Sequence, residues 1–152
     1  MIGAAIYELL NVASVTNLVN DISPMIARSG IDAPYIVFNE SGIPENFKNG
    51  YSVVNYDLRI DAYAKKGRDN SGGKAELVQI YNAVEAILNR YTGIVAGVRI
   101  GQIYQQSQEI RYDEMSEAAR LTIEYKVRVN TDAIPSNSGI GFMAIQSTFI
   151  VA

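Results

Sequence analysis

The side chains that most often do covalent or metal chemistry are missing from this chain. Its 152 residues contain no histidine and no cysteine. That removes disulfides, thiolate metal sites, the common zinc constellations and the Ser-His-Asp triad. Carboxylates, lysines and ten tyrosines remain. Asp113, Glu114 and Glu117 cluster in "YDEMSE". No partners at fixed spacing accompany them, so they read as a solvated turn rather than a metal or acid–base site. The stretch "GRDNSGGKA" sits between an expected strand and an expected helix, where a phosphate-binding loop would lie. That loop needs Gly, four residues, then Gly-Lys-Ser/Thr, so that backbone amides wrap phosphate and the hydroxyl holds magnesium. Here Gly67 is one position too early for Gly73–Lys74, and Ala75 stands where the hydroxyl should be. The stretch reads as a connecting loop, with Lys65, Lys66, Arg68, Asp69 and Lys74 as a small mixed-charge docking patch.

The more informative charges lie on strands. In "NYDLRIDAYAK", Tyr56, Leu58, Ile60 and Ala62 alternate with Asn55, Asp57, Arg59 and Asp61. Further on, Leu121, Ile123, Tyr125, Val127 and Val129 alternate with Thr122, Glu124, Lys126 and Arg128. Period-2 alternation means a strand with one face in a core and one face outside it. The mixed-charge faces read either as a solvated outer surface or as the candidate functional surface: Asn55, Asp57, Arg59, Asp61, Glu124, Lys126 and Arg128.

Other elements must position those strands. Residues 1–12 read as a helix, with Ile2, Ile6, Leu9 and Leu10 on one face and Glu8 opposite. A short turn or helix follows over Val15–Asn20. "DISPMIARSG" reads as an edge strand, because proline cannot donate to a ladder. "PYIVFNES" reads as an interior strand, and "GIPENFKNG" as a loop closed by an Asn-Gly turn. A long amphipathic helix is expected from Gly73 to Tyr91, with the stripe Leu77, Val78, Tyr81, Val84, Leu88 and Tyr91 and a glycine stop at Gly93. Glu76, Gln79, Glu85, Asn89 and Arg90 would face away from it. Val95–Arg111 reads as one long strand, with Gly93, Gly97 and Gly101 marking bulges or close approaches. Tyr56, Tyr81 and Tyr125 lie on expected core faces. The fold class is α+β: one domain, an antiparallel or mixed sheet, and the helices packed on one face. Residues 1–130 form that domain. Residues 131–152, with the apolar run Phe142–Val151, read as an extension, either an added strand or a docking arm.

Composition limits function further. Hydrophobic residues make up 48% and charged residues 19%, so a core can form. The net charge of −3 disfavours tight DNA binding, which draws most of its affinity from neutralising phosphates. The apolar start lacks a basic leader region, and no apolar run is long enough to span a membrane. A protein made and used without secretion is expected. No cofactor or metal is expected. The residues point away from an enzyme and towards a binding or structural part. A small carboxylate-using enzyme and a ligand-binding module stay open as alternatives.

The order of elements, with "PYIVF", "LRIDAYAK", the helix "ELVQIYNAVEAILNRY" and "YDEMSEAARLTIEYKV", resembles the tail terminator or tail completion proteins of tailed bacteriophages over residues 1–130. The resemblance implies a virion protein made in the host bacterial cytoplasm. It implies a homo-oligomeric ring, hexameric with a dodecamer as the alternative, that caps the tail at the head–tail junction. Its partners would be tail-tube and head-connector or stopper proteins, and DNA would pass through the lumen without specific binding. Another neck ring, a stopper or adaptor, is the rival within the same assembly.

Overall fold

The computed structural model describes residues 2–27, 29–46, 51–65, 73–113 and 118–132. Three helices are present among them: α1 (Gly3–Leu10), α2 (Ala13–Thr16) and α3 (Lys74–Leu88). The strands are β1 (Ile22–Pro24), β2 (Tyr35–Asn46), β3 (Tyr51–Lys65), β4 (Gly93–Val95), β5 (Val98–Asp113) and β6 (Ala118–Asp132). They form one six-stranded sheet in the order β1-β2-β3-β6-β5-β4. β1 runs parallel to β2, and every other neighbouring pair is antiparallel. The fold is therefore mainly sheet, with short helices beside it.

The two alternating strands are the middle of the sheet. β3 and β6 pair without a slip from Tyr51↔Asp132 to Lys65↔Ala118. Leu58, Ile60, Ala62 and Ala64 of β3 and Leu121, Ile123, Tyr125, Val127 and Val129 of β6 are buried in one cluster. The helices supply the rest of it: Ile2, Ala5, Ile6 and Leu10 around α1, Val15 from α2, and Leu77, Ile80, Val84 and Leu88 from α3. The helices thus cover one face of the sheet, as the alternation requires.

Several elements differ from the sequence expectation. α3 has 15 residues and is not the long helix expected over Gly73–Tyr91. Its buried stripe takes in Ile80, while Val78 is exposed and Tyr81 is only partly buried. The chain leaves the helix because the edge of β5 captures it. The Gln105 amide N–H donates to Asn89 Oδ1 at 3.1 Å, and the Arg90 N–H donates to the Ile103 carbonyl at 2.6 Å. Arg90 takes the left-handed conformation (φ 68°), so the stop is made there rather than at glycine. The expected strand Val95–Arg111 is split. Ala96 and Gly97 both have positive φ (50° and 76°), which is what a two-residue hairpin turn demands, and Val95 pairs with Val98 across it. The expected loop after Ser41 is strand as far as Asn46, paired to Ser52. Pro44 fits there because β1 pairs only with Ile36–Phe38, so that no described strand covers that side of β2 further along. The Asn49–Gly50 turn and residues 133–152 lie outside the described residues, and β6 carries past residue 130 to Asp132.

One polar group is built into the helix–sheet contact. Tyr125 is 1% exposed, and its hydroxyl donates to Glu85 Oε1 at 2.7 Å. With the Gln105 amide oriented to satisfy both its atoms, its nitrogen donates to Glu85 Oε2 at 2.6 Å and to the Tyr81 hydroxyl at 2.9 Å. Glu85 therefore faces the sheet instead of decorating the outer face of α3. Burial pushes the Tyr125 phenol far above the ordinary tyrosine range, and the Glu85 hydrogen bond and the charges of Glu85 and Tyr81 push the same way.

Two outcomes follow. Ile60→Ala, which empties a fully buried site in the middle of the sheet, should cost about 2–5 kcal/mol in urea unfolding. In an alkaline absorbance titration, Tyr125 should stay un-ionised while ordinary tyrosines titrate near pH ~10. A raised folded pKa means that the stability it carries is whole below that pH and is lost as pH climbs towards the folded value. Tyr35, partly buried and stacked on Tyr63 at 5.0 Å, is shifted the same way. Tyr125→Phe should therefore remove the phenol that resists titration and leave the delayed titration of Tyr35 in place, at a cost on the order of 1 kcal/mol.

Candidate functional site

Among the described residues, the second face of the sheet carries no helix. Register across β3, β6 and β5 sorts its side chains into rungs. Asn55 lies opposite Arg128, which lies opposite Gln102. Asp57 is followed by Lys126 and Tyr104, Arg59 by Glu124 and Ser107, and Asp61 by Thr122 and Glu109. Every residue of the expected mixed-charge face is on this one surface, brought together by the unbroken β3–β6 register.

The rungs are chemically paired. Lys126 Nζ donates to the Asp57 carboxylate, and that hydrogen bond raises the Lys126 pKa. Thr122 Oγ1 donates to Asp61 Oδ1 at 2.7 Å, and Arg59 Nε meets Asp61 Oδ2 at 3.0 Å. Ser107 Oγ donates to Glu124 Oε1 at 3.0 Å, and Arg111 Nε pairs with Glu109. These carboxylates each have a donor already. Being on an open face, such pairs hold side chains in place more than they hold the fold together. The surface between them is a row of shallow hollows. One is lined by Asn55, Gln102, Tyr104, Lys126 and Arg128, and another by Arg59, Ser107, Glu109, Arg111, Arg120, Thr122 and Glu124. No carboxylate pair converges on an enclosed cavity among the described residues, and no group of three or more metal-ligating side chains forms among them. The face is suited to contact, with donors and acceptors in fixed order, rather than to bond-making.

The contribution of β5 escaped the sequence reading. Gln102, Tyr104, Ser107, Glu109 and Arg111 join this face because the register slips at Gly101 and again at Gln106. Each slip inserts one residue and reverses which side chains point which way. Gly101 carries a signal, since a Cβ there would sit 2.9 Å from Asn130 Nδ2. Gln106 carries none. Of the mixed-charge docking patch, Lys65 ends β3 and Lys74 opens α3, while Lys66, Arg68 and Asp69 lie outside the described residues. Gly73 caps α3 in the left-handed conformation (φ 72°). Asp113 ends β5, and Glu114 and Glu117 lie outside the described residues. No described helix is long and apolar enough to cross a membrane.

Comparison with known proteins gives a consistent result. Residues 4–130 match the family described as Tail completion protein gp17. Among solved structures, the chain is similar to one from the virion of a native gene transfer agent particle. That match has a TM-score of 0.69 at 18% identity and covers 84% of this chain and 92% of the other, so it shows a shared fold. No curated protein matches the chain significantly. The family match spans most of the chain and takes in the helix-covered core, Ile2 apart, and the β3–β6–β5 face. The chain belongs to the Tail completion protein gp17 family, and is a structural protein of the phage virion rather than an enzyme.

Proposed function

We propose that this chain assembles into a closed homo-oligomeric ring, hexameric, at the phage head–tail junction. There it ends the growth of the tail tube and joins it to the head connector or stopper, with DNA passing through the lumen. The observation that carries this reading is the division of the sheet. One face is sealed by helices, and the other is, among the described residues, a broad, helix-free array of ordered polar rungs.

A ring is built from a heterologous contact, in which one surface meets a different surface on the neighbour and the rotation closes. Such a surface must be wet in the free subunit and specific in the assembled one. Paired charges meet both demands, because they stay soluble alone and penalise a wrong register when buried. The Asp57–Lys126 pair and the neighbouring Arg59 and Glu124 are arranged in that way. The residues assigned to the subunit contact, or to the lumen wall, are Asn55, Asp57, Arg59, Asp61, Glu124, Lys126 and Arg128. A lumen wall with both signs interspersed would pass DNA without holding it, and the chain's net charge of −3 agrees with that. The stretch from Lys65 to Lys74 is assigned to contact with neighbouring junction proteins. The similar chain's place in a gene transfer agent virion supports assembly with other virion proteins.

The double variant Arg59→Glu/Arg128→Glu tests the interface. It should abolish ring assembly in sedimentation velocity and negative-stain images, alone or on tail-tube ends. Its unfolding free energy should change by no more than about 1 kcal/mol, since both side chains are exposed. Assembly at the wild-type level would remove this face from the subunit contact.

A further inference from the structure

Charge is divided across the sheet. The stretch from α1 to β2 carries Glu8, Asp21, Asp32, Glu40 and Glu45 and, among the described residues, no lysine or arginine; Arg28 lies outside them. On the far side of β3, the strands β5 and β6 carry Arg99, Arg111, Arg120, Lys126 and Arg128 against Glu109, Asp113 and Glu124. The order β1-β2-β3-β6-β5-β4 puts the two groups on opposite sides of the sheet. A ring contact sets one side of a subunit against a different side of the next. A subunit acidic on one side and basic on the other is charged for that contact.

On the basic side, Arg111 and Arg120 stand directly opposite each other across β5 and β6. Like charges so placed repel. Both line the hollow that also takes in Arg59, Ser107 and Thr122. Its own carboxylates are engaged, Glu109 by Arg111 and Glu124 by Ser107, and Arg59 is held by Asp61. Arg120 is half-buried and has no carboxylate partner among the described residues. The hollow is one anion short. It is also open at the side, because β4 pairs only with Val98–Ile100 and no described strand flanks β5 at Arg111.

On the acidic side, the Glu40 carboxylate stands beside Gly3, its Oε1 3.4 Å from where a Cβ would be. Glu8 and Tyr7 line the hollow that begins at Gly3, and both are exposed. Neither Glu8 nor Glu40 meets a cation among the described residues. Carboxylates beside an exposed tyrosine suit a guanidinium, which pairs with the first and stacks on the second. The two sites also lie at similar heights. Glu40 pairs with Leu58, the neighbour of Arg59, and Arg120 pairs with Tyr63, so along the strands they are within about 17 Å of each other. Around a ring axis that runs along the strands, they can meet with little rise between subunits. We infer that Glu8 and Glu40 of one copy supply the missing anion to Arg111 and Arg120 of the next, so that each arginine hollow is completed by its neighbour. The inference rests on the ring reading above and names the two surfaces that meet in it.

Two full-length variants test the pairing by mixing. Arg111→Glu/Arg120→Glu makes the hollow acidic, and Glu8→Arg/Glu40→Gln makes the opposite edge basic. Each alone should need about tenfold more protein than the wild type for half-assembly in sedimentation velocity. An equimolar mixture should recover to within about threefold of the wild type, because in an alternating ring every contact again joins opposite charges. Recovery would also show that both chains are folded. If each variant assembles as the wild type does, the pairing is overturned and the ring reading stands. The wild-type ring gives a second reading that needs no charge reversal. Raising salt from about 0.05 M to about 0.5 M should weaken its assembly about fivefold or more, and Arg111→Gln/Arg120→Gln should lose most of that response. A wild-type ring indifferent to salt would overturn the pairing alone. A wild-type chain that assembles neither by itself nor on tail-tube ends would overturn the ring reading and the pairing with it. Retardation of a short DNA duplex that is lost in Arg111→Glu/Arg120→Glu, with assembly unchanged, would assign the hollow to phosphate instead.

Discussion

The unbroken pairing of β3 with β6 is the constraint on which the rest depends. Fifteen residues of each strand stay in register, from Tyr51↔Asp132 to Lys65↔Ala118. Because side chains alternate across a strand, that one register decides everything about the two faces. It puts Leu58, Ile60, Leu121, Ile123, Tyr125 and Val127 on the helix side. It puts Asp57 beside Lys126 and Arg59 beside Glu124 on the other. A slip by one residue would bury the charges and expose the aliphatic side chains. The penalty for burying unpaired charge makes that alternative inaccessible. The same physical fact that builds the core therefore builds the polar surface.

This explains what was legible in the sequence. The two alternating strands, the apolar face of α1, the edge position of Pro24 and the polar identity of Asn55–Asp61 could be read from spacing alone. Those features are set by period and solvent, which are local properties of the chain. The parts that could not be read depend on partners distant in sequence. α3 stops where β5 offers Ile103 and Gln105 to Arg90 and Asn89, and nothing near residue 90 announces that contact. Glu85 faces inward because Tyr125 and Gln105 meet it there. β5 changes its outward set at Gln106, a residue with no glycine-like mark. The hairpin at Ala96–Gly97 uses an alanine with positive φ where asparagine is the usual signal.

The chemistry missing from the composition and the order present on the surface describe the same kind of protein. A chain without histidine or cysteine, whose carboxylates on the open sheet face are engaged in cross-strand and neighbouring pairs, has little with which to make or break bonds. It has much with which to recognise a surface. Membership in a tail completion family places that capacity in a virion, where parts act by fitting. The two faces divide the work. The helix side gives the subunit its own stability, and the rung side presents donors and acceptors in a fixed order.

The most direct test is the mass and shape of the assembled protein. Native mass spectrometry and negative-stain imaging would be applied to the purified chain, alone and mixed with phage tail-tube and head-connector proteins. A closed ring of six subunits, formed alone or on the end of a tail tube, is the expected result. A chain that stays monomeric and binds neither the tube nor the connector would contradict the assignment to the head–tail junction.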